Sequence, residues 1–152
     1  VEKREELNAA LKEAMKSKDE IAVSTIRLIL AALKDRDIAL RGQGKAEGIV
    51  EAEILSMLQS MIKQRLESAK IYKDAARSDL SEREEAEIKV IERFLPKQLD
   101  ESDATKAVEA LITELGAKDI KDMGRVMAEL KARYAGQMDM GRASGLVKQK
   151  LS

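Results

Sequence analysis

The last 30 residues of this 152-residue chain hold six cations, Arg125, Lys131, Arg133, Arg142, Lys148 and Lys150, against two acids, Glu129 and Asp139. That segment carries +4, whereas residues 96–122 carry −3. A concentration of Lys and Arg suits contact with phosphates. Few contacts of that kind give weak, steeply salt-sensitive binding. The same pattern also describes an ordinary solvated helix face. Lys121 and Arg125 flank Asp122-Met123-Gly124, where a helix N-terminus would offer free amides to a phosphate oxygen. The alternative use of Gly124 is tight helix contact. Gly141, Ser144 and Gly145 pose the same choice between close approach in a small core and exposed backbone for nucleic acid. The candidate RNA-binding set is therefore Lys121, Arg125, Lys131, Arg133, Arg142, Lys148 and Lys150.

Other chemistry is largely excluded by composition. The chain has no Cys, no His and no Trp, one Phe and two Tyr. Disulfides, thiolate nucleophiles, His-based triads and His-containing zinc sites are thereby ruled out. Modules that stack unpaired bases on aromatic side chains have almost nothing to work with. Carboxylates such as Glu84, Glu85, Glu87, Asp35 and Asp37 sit in helix-solubilising positions, without the surroundings that would tune them for acid–base work. No catalytic residue, metal or cofactor is expected.

Net charge is zero, so any pull on an anionic partner must be local. The longest apolar-leaning run, residues 21–33, is interrupted by Ser24, Thr25 and Arg27, too polar for a membrane span. The first residues are charged and amphipathic, unlike a secretory signal, and lack an initiator Met, so the expectation is that a residue or a few are missing upstream. With no cysteine, the expected location is cytoplasmic.

The elements that must position these residues are all helical, because apolar residues recur at helical spacing and almost never alternate. A first helix over about 2–16 places Leu7, Leu11, Ala14 and Met15 on one face. Ser17-Lys18-Asp19-Glu20 reads as a capping box with Ser17 as cap. It opens a second helix that carries Ile26, Ile29, Leu30, Leu33 and Ile38 and ends near Arg41, before Gly42-Gln43-Gly44. The third and longest, about 50–77, bears a stripe of Ile54, Leu58, Met61, Arg65, Ser68 and Tyr72, with Leu55, Ile62, Leu66 and Ala69 alongside. It is expected to pair antiparallel with the second. Ser81-Glu82-Arg83-Glu84 reads as a second capping box, opening a helix that carries Ile88, Ile91, Phe94 and Leu95 and is stopped by Pro96. Beyond it the helices shorten: Asp100 caps one that ends at Gly116, followed by helices over about 123–134 and 140–151, with Gly136 between them. The expected class is all-α. A helical domain over 1–95, containing a long hairpin, is joined at residues 96–100 to a small three-helix domain over 96–152.

Several segments, in order and at matching spacing, resemble the GatB/YqeY family over most of the chain. Lys63-Gln64-Arg65-Leu66-Glu67-Ser68-Ala69, then Tyr72, then Ala76-Arg77-Ser78-Asp79-Leu80, are similar to the family's K-Q-R-x-E-S-A…Y…R-x-D-L signature. Phe94-Leu95-Pro96-Lys97-Gln98-Leu99 resembles its aromatic-L-P-x-Q-L junction, and Asp122-Met123-Gly124-Arg125-Val126-Met127 resembles D-M-G-K-V-M. Gly136, Asp139, Ser144, Val147, Lys148 and Leu151 resemble the closing pattern. The resemblance implies a larger N-terminal helical domain joined to a small helical domain similar to the tail of GatB, the tRNA-dependent amidotransferase subunit, where that tail contacts tRNA. A related arrangement precedes the catalytic part of some glutaminyl-tRNA synthetases. Carbon–nitrogen ligase activity with glutamine as amido donor belongs to GatB's catalytic body, for which these 152 residues hold no counterpart.

The family-motif polar residues admit two uses. Arg65, Ser68 and Tyr72 form either a patch that binds a partner or RNA, or a buried polar network that sets helix register. Arg77 and Asp79 suit the end of a helix and its turn, or a binding role. The junction at Pro96 acts either as a hinge or as a rigid elbow. The expected function is a non-enzymatic RNA-binding module, most plausibly a tRNA-binding accessory through the C-terminal basic face. Alternatives are an accessory to glutamine-dependent amidation and a helical protein–protein adaptor.

Overall fold

A computed structural model of the chain describes residues 2–152. Among these residues it contains seven α-helices, one 3-10 turn and no strand. The helices are α1 (Lys3–Ser17), α2 (Glu20–Arg41), α3 (Glu51–Asp74), α4 (Ser78–Glu92), α5 (Glu101–Leu115), α6 (Met123–Tyr134) and α7 (Met140–Leu151), with the 3-10 turn at Ile120–Asp122 ahead of α6. The chain divides into two compact units between Leu95 and Pro96.

The first unit is organised around Leu7, Ile26, Ile29, Ile54, Met57, Leu58 and Ile91, each at most 1% exposed. These residues recur every three or four positions on α1 to α4, so each helix turns one apolar stripe inward. The pairing departs from expectation: α3 runs along α4, while α2 packs on α1 and α4. Only a three-residue turn separates α3 from α4, and so short a link favours an antiparallel pair over any more distant partner. Three residues assigned inward, Met15, Ile38 and Leu66, are half or more exposed.

Both capping boxes are displaced. Ser17 is the last residue of α1, and the cap of α2 is Asp19, whose side chain accepts from the Ala22 amide at 3.1 Å. Between them Lys18 adopts a left-handed conformation (φ 58°), and the Asp19 amide reaches back to the Ala14 carbonyl at 3.0 Å. That six-residue closure ends α1 and starts α2 in one turn. The same device ends α3: Ala76 has φ 57°, and the Arg77 amide donates to the Tyr72 carbonyl at 2.8 Å. Helix α4 therefore begins at Ser78, and Ser81 lies buried inside it rather than capping it.

The α2–α3 loop is tied down by one cluster. Arg4 donates to the Asp37 carboxylate at 2.8 and 3.3 Å and to the Ile49 carbonyl at 2.9 Å. Asp37 in turn accepts from the Ile49 amide at 2.9 Å. The Arg4 guanidinium holds the Asp37 carboxyl below its ordinary value, helped by the Ile49 amide.

The second unit is a three-helix packing of α5, α6 and α7 around Val108, Leu111, Val126, Leu130, Ala143, Val147 and Leu151. Asp100 caps α5 by accepting from the Asp103 amide at 2.7 Å, and Gly116 (φ 62°) ends it. The segment after Pro96 is pinned to the turn before α7. The Leu99 amide donates to the Gln137 carbonyl at 2.8 Å, and the Gln98 side chain donates to the Pro96 and Gly136 carbonyls.

Candidate nucleic-acid interface

Of the seven cations proposed for RNA, three close onto one helix. Arg133 of α6 donates to both carboxylate oxygens of Glu114 (2.6 and 3.1 Å), and also to Glu129 at 2.9 Å. From α7, Arg142 approaches Glu101 at 3.4 Å and Lys150 meets Glu109 at 2.8 Å. Helix α5 thus carries a row of carboxylates met by α6 near its C-terminal end and by α7 along its length. The bidentate Arg133 pair depresses the Glu114 carboxyl and raises the guanidinium further.

The other four are placed differently. Arg125 pairs with Asp122, one turn earlier, at 3.2 Å. The N-terminus of α6 is not an open anion site, because Asp122 also accepts from the Lys118 amide at 2.9 Å and so sets a carboxylate beside it. That amide is the main reason the Asp122 carboxyl sits below its ordinary value. Lys121 lies exposed in the 3-10 turn. Lys131 and Lys148 are exposed and make no ion pair among the described residues. The glycines resolve into different cases: a Cβ on Gly124 or Gly145 would meet nothing within 4 Å, and one on Gly141 would meet only its own cap, Asp139, at 3.3 Å. None of them is packed against a neighbouring helix.

The family-motif residues sit in the first unit. Arg65 and Glu87 join α3 to α4 at 3.1 Å, and Arg65 also donates to the Met61 carbonyl at 3.2 Å. Ser68 and Tyr72 are half-buried on the same side of α3. Arg77 and Asp79 form an exposed pair at the start of α4, where the Arg77 backbone closes α3. The acidic row on α5 is the feature that sequence reading missed. Its signal was the −3 charge of residues 96–122, but only the packing of α5 against α6 and α7 gives those acids their partners.

A cleft of about 340 Å³ lies at the start of α5 and α7, floored by Leu99, Ala104, Met138 and Leu146. Its charged rim, Asp100, Glu101, Asp139 and Arg142, consists of two helix caps and one ion pair. Among the described residues no group of three or more acids, His or Cys is arranged to hold a metal ion. No helix is long and apolar enough to cross a membrane.

The fold and these surfaces define an all-helical, two-unit protein in which several charged side chains tie neighbouring helices together. The chain belongs to the Yqey-like protein family, which it matches over residues 4–151. Among curated proteins it is similar to altered inheritance of mitochondria protein 41, mitochondrial, of Saccharomyces cerevisiae. The two are 30% identical over 130 residues, covering 82% of this chain and 68% of the relative. Proteins of the same name from Lachancea thermotolerans (33% over 111 residues; 72% and 57%) and Clavispora lusitaniae (34% over 116 residues; 74% and 64%) are also similar. These relatives are named as mitochondrial, which overturns the cytoplasmic expectation. Absence of cysteine argues against an oxidising compartment but does not tell one reducing compartment from another.

Proposed function

We propose that this Yqey-like protein is a non-enzymatic RNA-binding module, acting as an accessory that contacts tRNA through its second unit. The observation that carries this reading is the set of exposed cations on α6 and α7, of which Lys131 and Lys148 lack carboxylate partners. Phosphate contact is their natural use, and folded RNA fits better than single strands because the chain has too few aromatics to stack bases. The first unit serves as scaffold. Arg65 is committed to Glu87, and Ser68 and Tyr72 are half-buried, so the motif face of α3 offers little to an adaptor's partner.

The test is filter binding of the pure protein to total tRNA at low and moderate salt, beside an Arg125→Ala/Lys131→Ala/Lys148→Ala variant. Salt-sensitive binding that the variant loses supports the reading. No affinity even at low salt sinks it.

A further inference from the structure

We infer that the phosphate-contacting face of the second unit is the side of α6 and α7 turned away from α5, with Lys131 and Lys148 as its cations and Gly124 as its point of close approach. This rests on the RNA reading above and narrows it to one surface. Successive residues of an α-helix are rotated by about 100°, so positions two apart point in nearly opposite directions. Arg133 reaches Glu114 and Lys150 reaches Glu109, both on α5. Lys131 and Lys148, each two residues earlier, therefore face away from that helix.

The two sides differ in how accessible their charge is. A phosphate that took Arg133, Arg142 or Lys150 would have to displace a carboxylate from each. One that met Lys131 or Lys148 would displace only water. Between residues 123 and 152 the acids are Glu129 and Asp139. Glu129 is held by Arg133, and Asp139 caps α7. Around Lys131 and Lys148 the side turned away from α5 is thus free of those carboxylates, while Asp122, beside the N-terminus of α6, is held by Arg125 and the Lys118 amide.

Gly124 supplies the second observation. It lies two turns before Lys131 and so shares its side of α6, and a Cβ on it would touch nothing in the fold. No packing within the chain accounts for it. Bare backbone on the side of an unpaired lysine lets a sugar–phosphate chain lie close against the helix, which is how an A-form surface is read by shape. Gly145 does not belong to this face, because it lines the cleft at the start of α5 and α7 with Glu101 and Arg142.

The experiment compares two charge-matched variants of the full chain in tRNA filter binding across a salt series. Lys131→Ala/Lys148→Ala is expected to weaken binding by about tenfold and to reduce the salt slope by roughly the two phosphate contacts removed. Arg142→Ala/Lys150→Ala, with the same loss of charge, is expected to change affinity by less than about threefold. Equal losses would overturn the assignment of the face while leaving RNA binding intact. Absence of binding by the unaltered chain would overturn both. A third variant, Gly124→Ala, is expected to keep Tm at least as high yet weaken binding; unchanged affinity would overturn the close-approach role.

Discussion

Arg65 and Glu87 meet at 3.1 Å across the seam between α3 and α4, with 13% of each side chain left to solvent. Glu87 has a second, longer contact with Arg83 at 3.5 Å, one turn back on its own helix. The pair is one of the few polar contacts in the long hairpin that is largely withdrawn from water, and it fixes which residues of the two helices lie opposite.

Removing one partner should therefore cost more than a surface ion pair would. Arg65→Ala leaves Glu87 only its longer contact with Arg83 and is expected to destabilise the first unit by about 3 kcal/mol, the low end for a broken buried pair. Replacing both residues with methionine should recover most of that loss, because the desolvation cost disappears with the charges. Urea unfolding of Arg65→Ala and of the Arg65→Met/Glu87→Met double measures both losses. A single-variant loss below about 1 kcal/mol, the range of exposed pairs, would show that solvent screens the contact.

Acid should loosen the α2–α3 loop. Hydrogen bonding to Arg4 keeps the folded Asp37 carboxyl below its ordinary value of 3.8. A group with a depressed folded pKa contributes stability above its unfolded pKa and loses it as pH falls through the folded one. The contribution is therefore complete at neutral pH and fades below about pH 4. Asp37→Asn should be less stable than the unaltered chain at pH 7, and the gap should narrow toward pH 2.5. A gap that stays constant with pH would mean that the Asp37 charge contributes nothing.

Gly48 and Gly44 separate strain from crowding. Both have positive φ, +80° and +86°. A Cβ on Gly44 would meet nothing within 4 Å, whereas one on Gly48 would fall 2.2 Å from the Asp37 carboxylate. Gly44→Ala is expected to cost only the left-handed penalty, about 1 kcal/mol. Gly48→Ala adds the displacement of Asp37 from Arg4 and Ile49, and should cost at least about 2 kcal/mol. Equal losses in thermal unfolding would argue that the cluster yields without cost.

Ala76 is strained in the opposite sense. It holds φ 57° at the end of α3, a conformation that glycine adopts freely and alanine does not. Ala76→Gly should stabilise the protein by about 0.5 kcal/mol, the relief of left-handed strain less the entropy that glycine adds to the unfolded chain. A fall in Tm would indicate that the Ala76 methyl makes contacts that outweigh the strain.

What could be read along the chain was local. Apolar spacing revealed seven helices, and α6 and α7 run over the residues expected. Asp100 and Gly116 bound α5 as their residue types predict, since a cap acts on amides three residues away and a glycine on its own φ. The turns at Lys18 and Ala76 were hidden because nothing in a lysine or an alanine advertises a left-handed backbone. Which helix α3 lies against was decided by the three-residue turn to α4, and that turn became visible only once Ala76 had closed α3. The roles of the basic residues depended still more on tertiary structure. Charge counted along the sequence grouped Arg133, Arg142 and Lys150 with Lys131 and Lys148, but the fold sets the first three against the acids of α5 and leaves the last two without partners. Sequence spacing sets which way a side chain points from its own helix. Only the packing of α5 against α6 and α7 determines what it finds there.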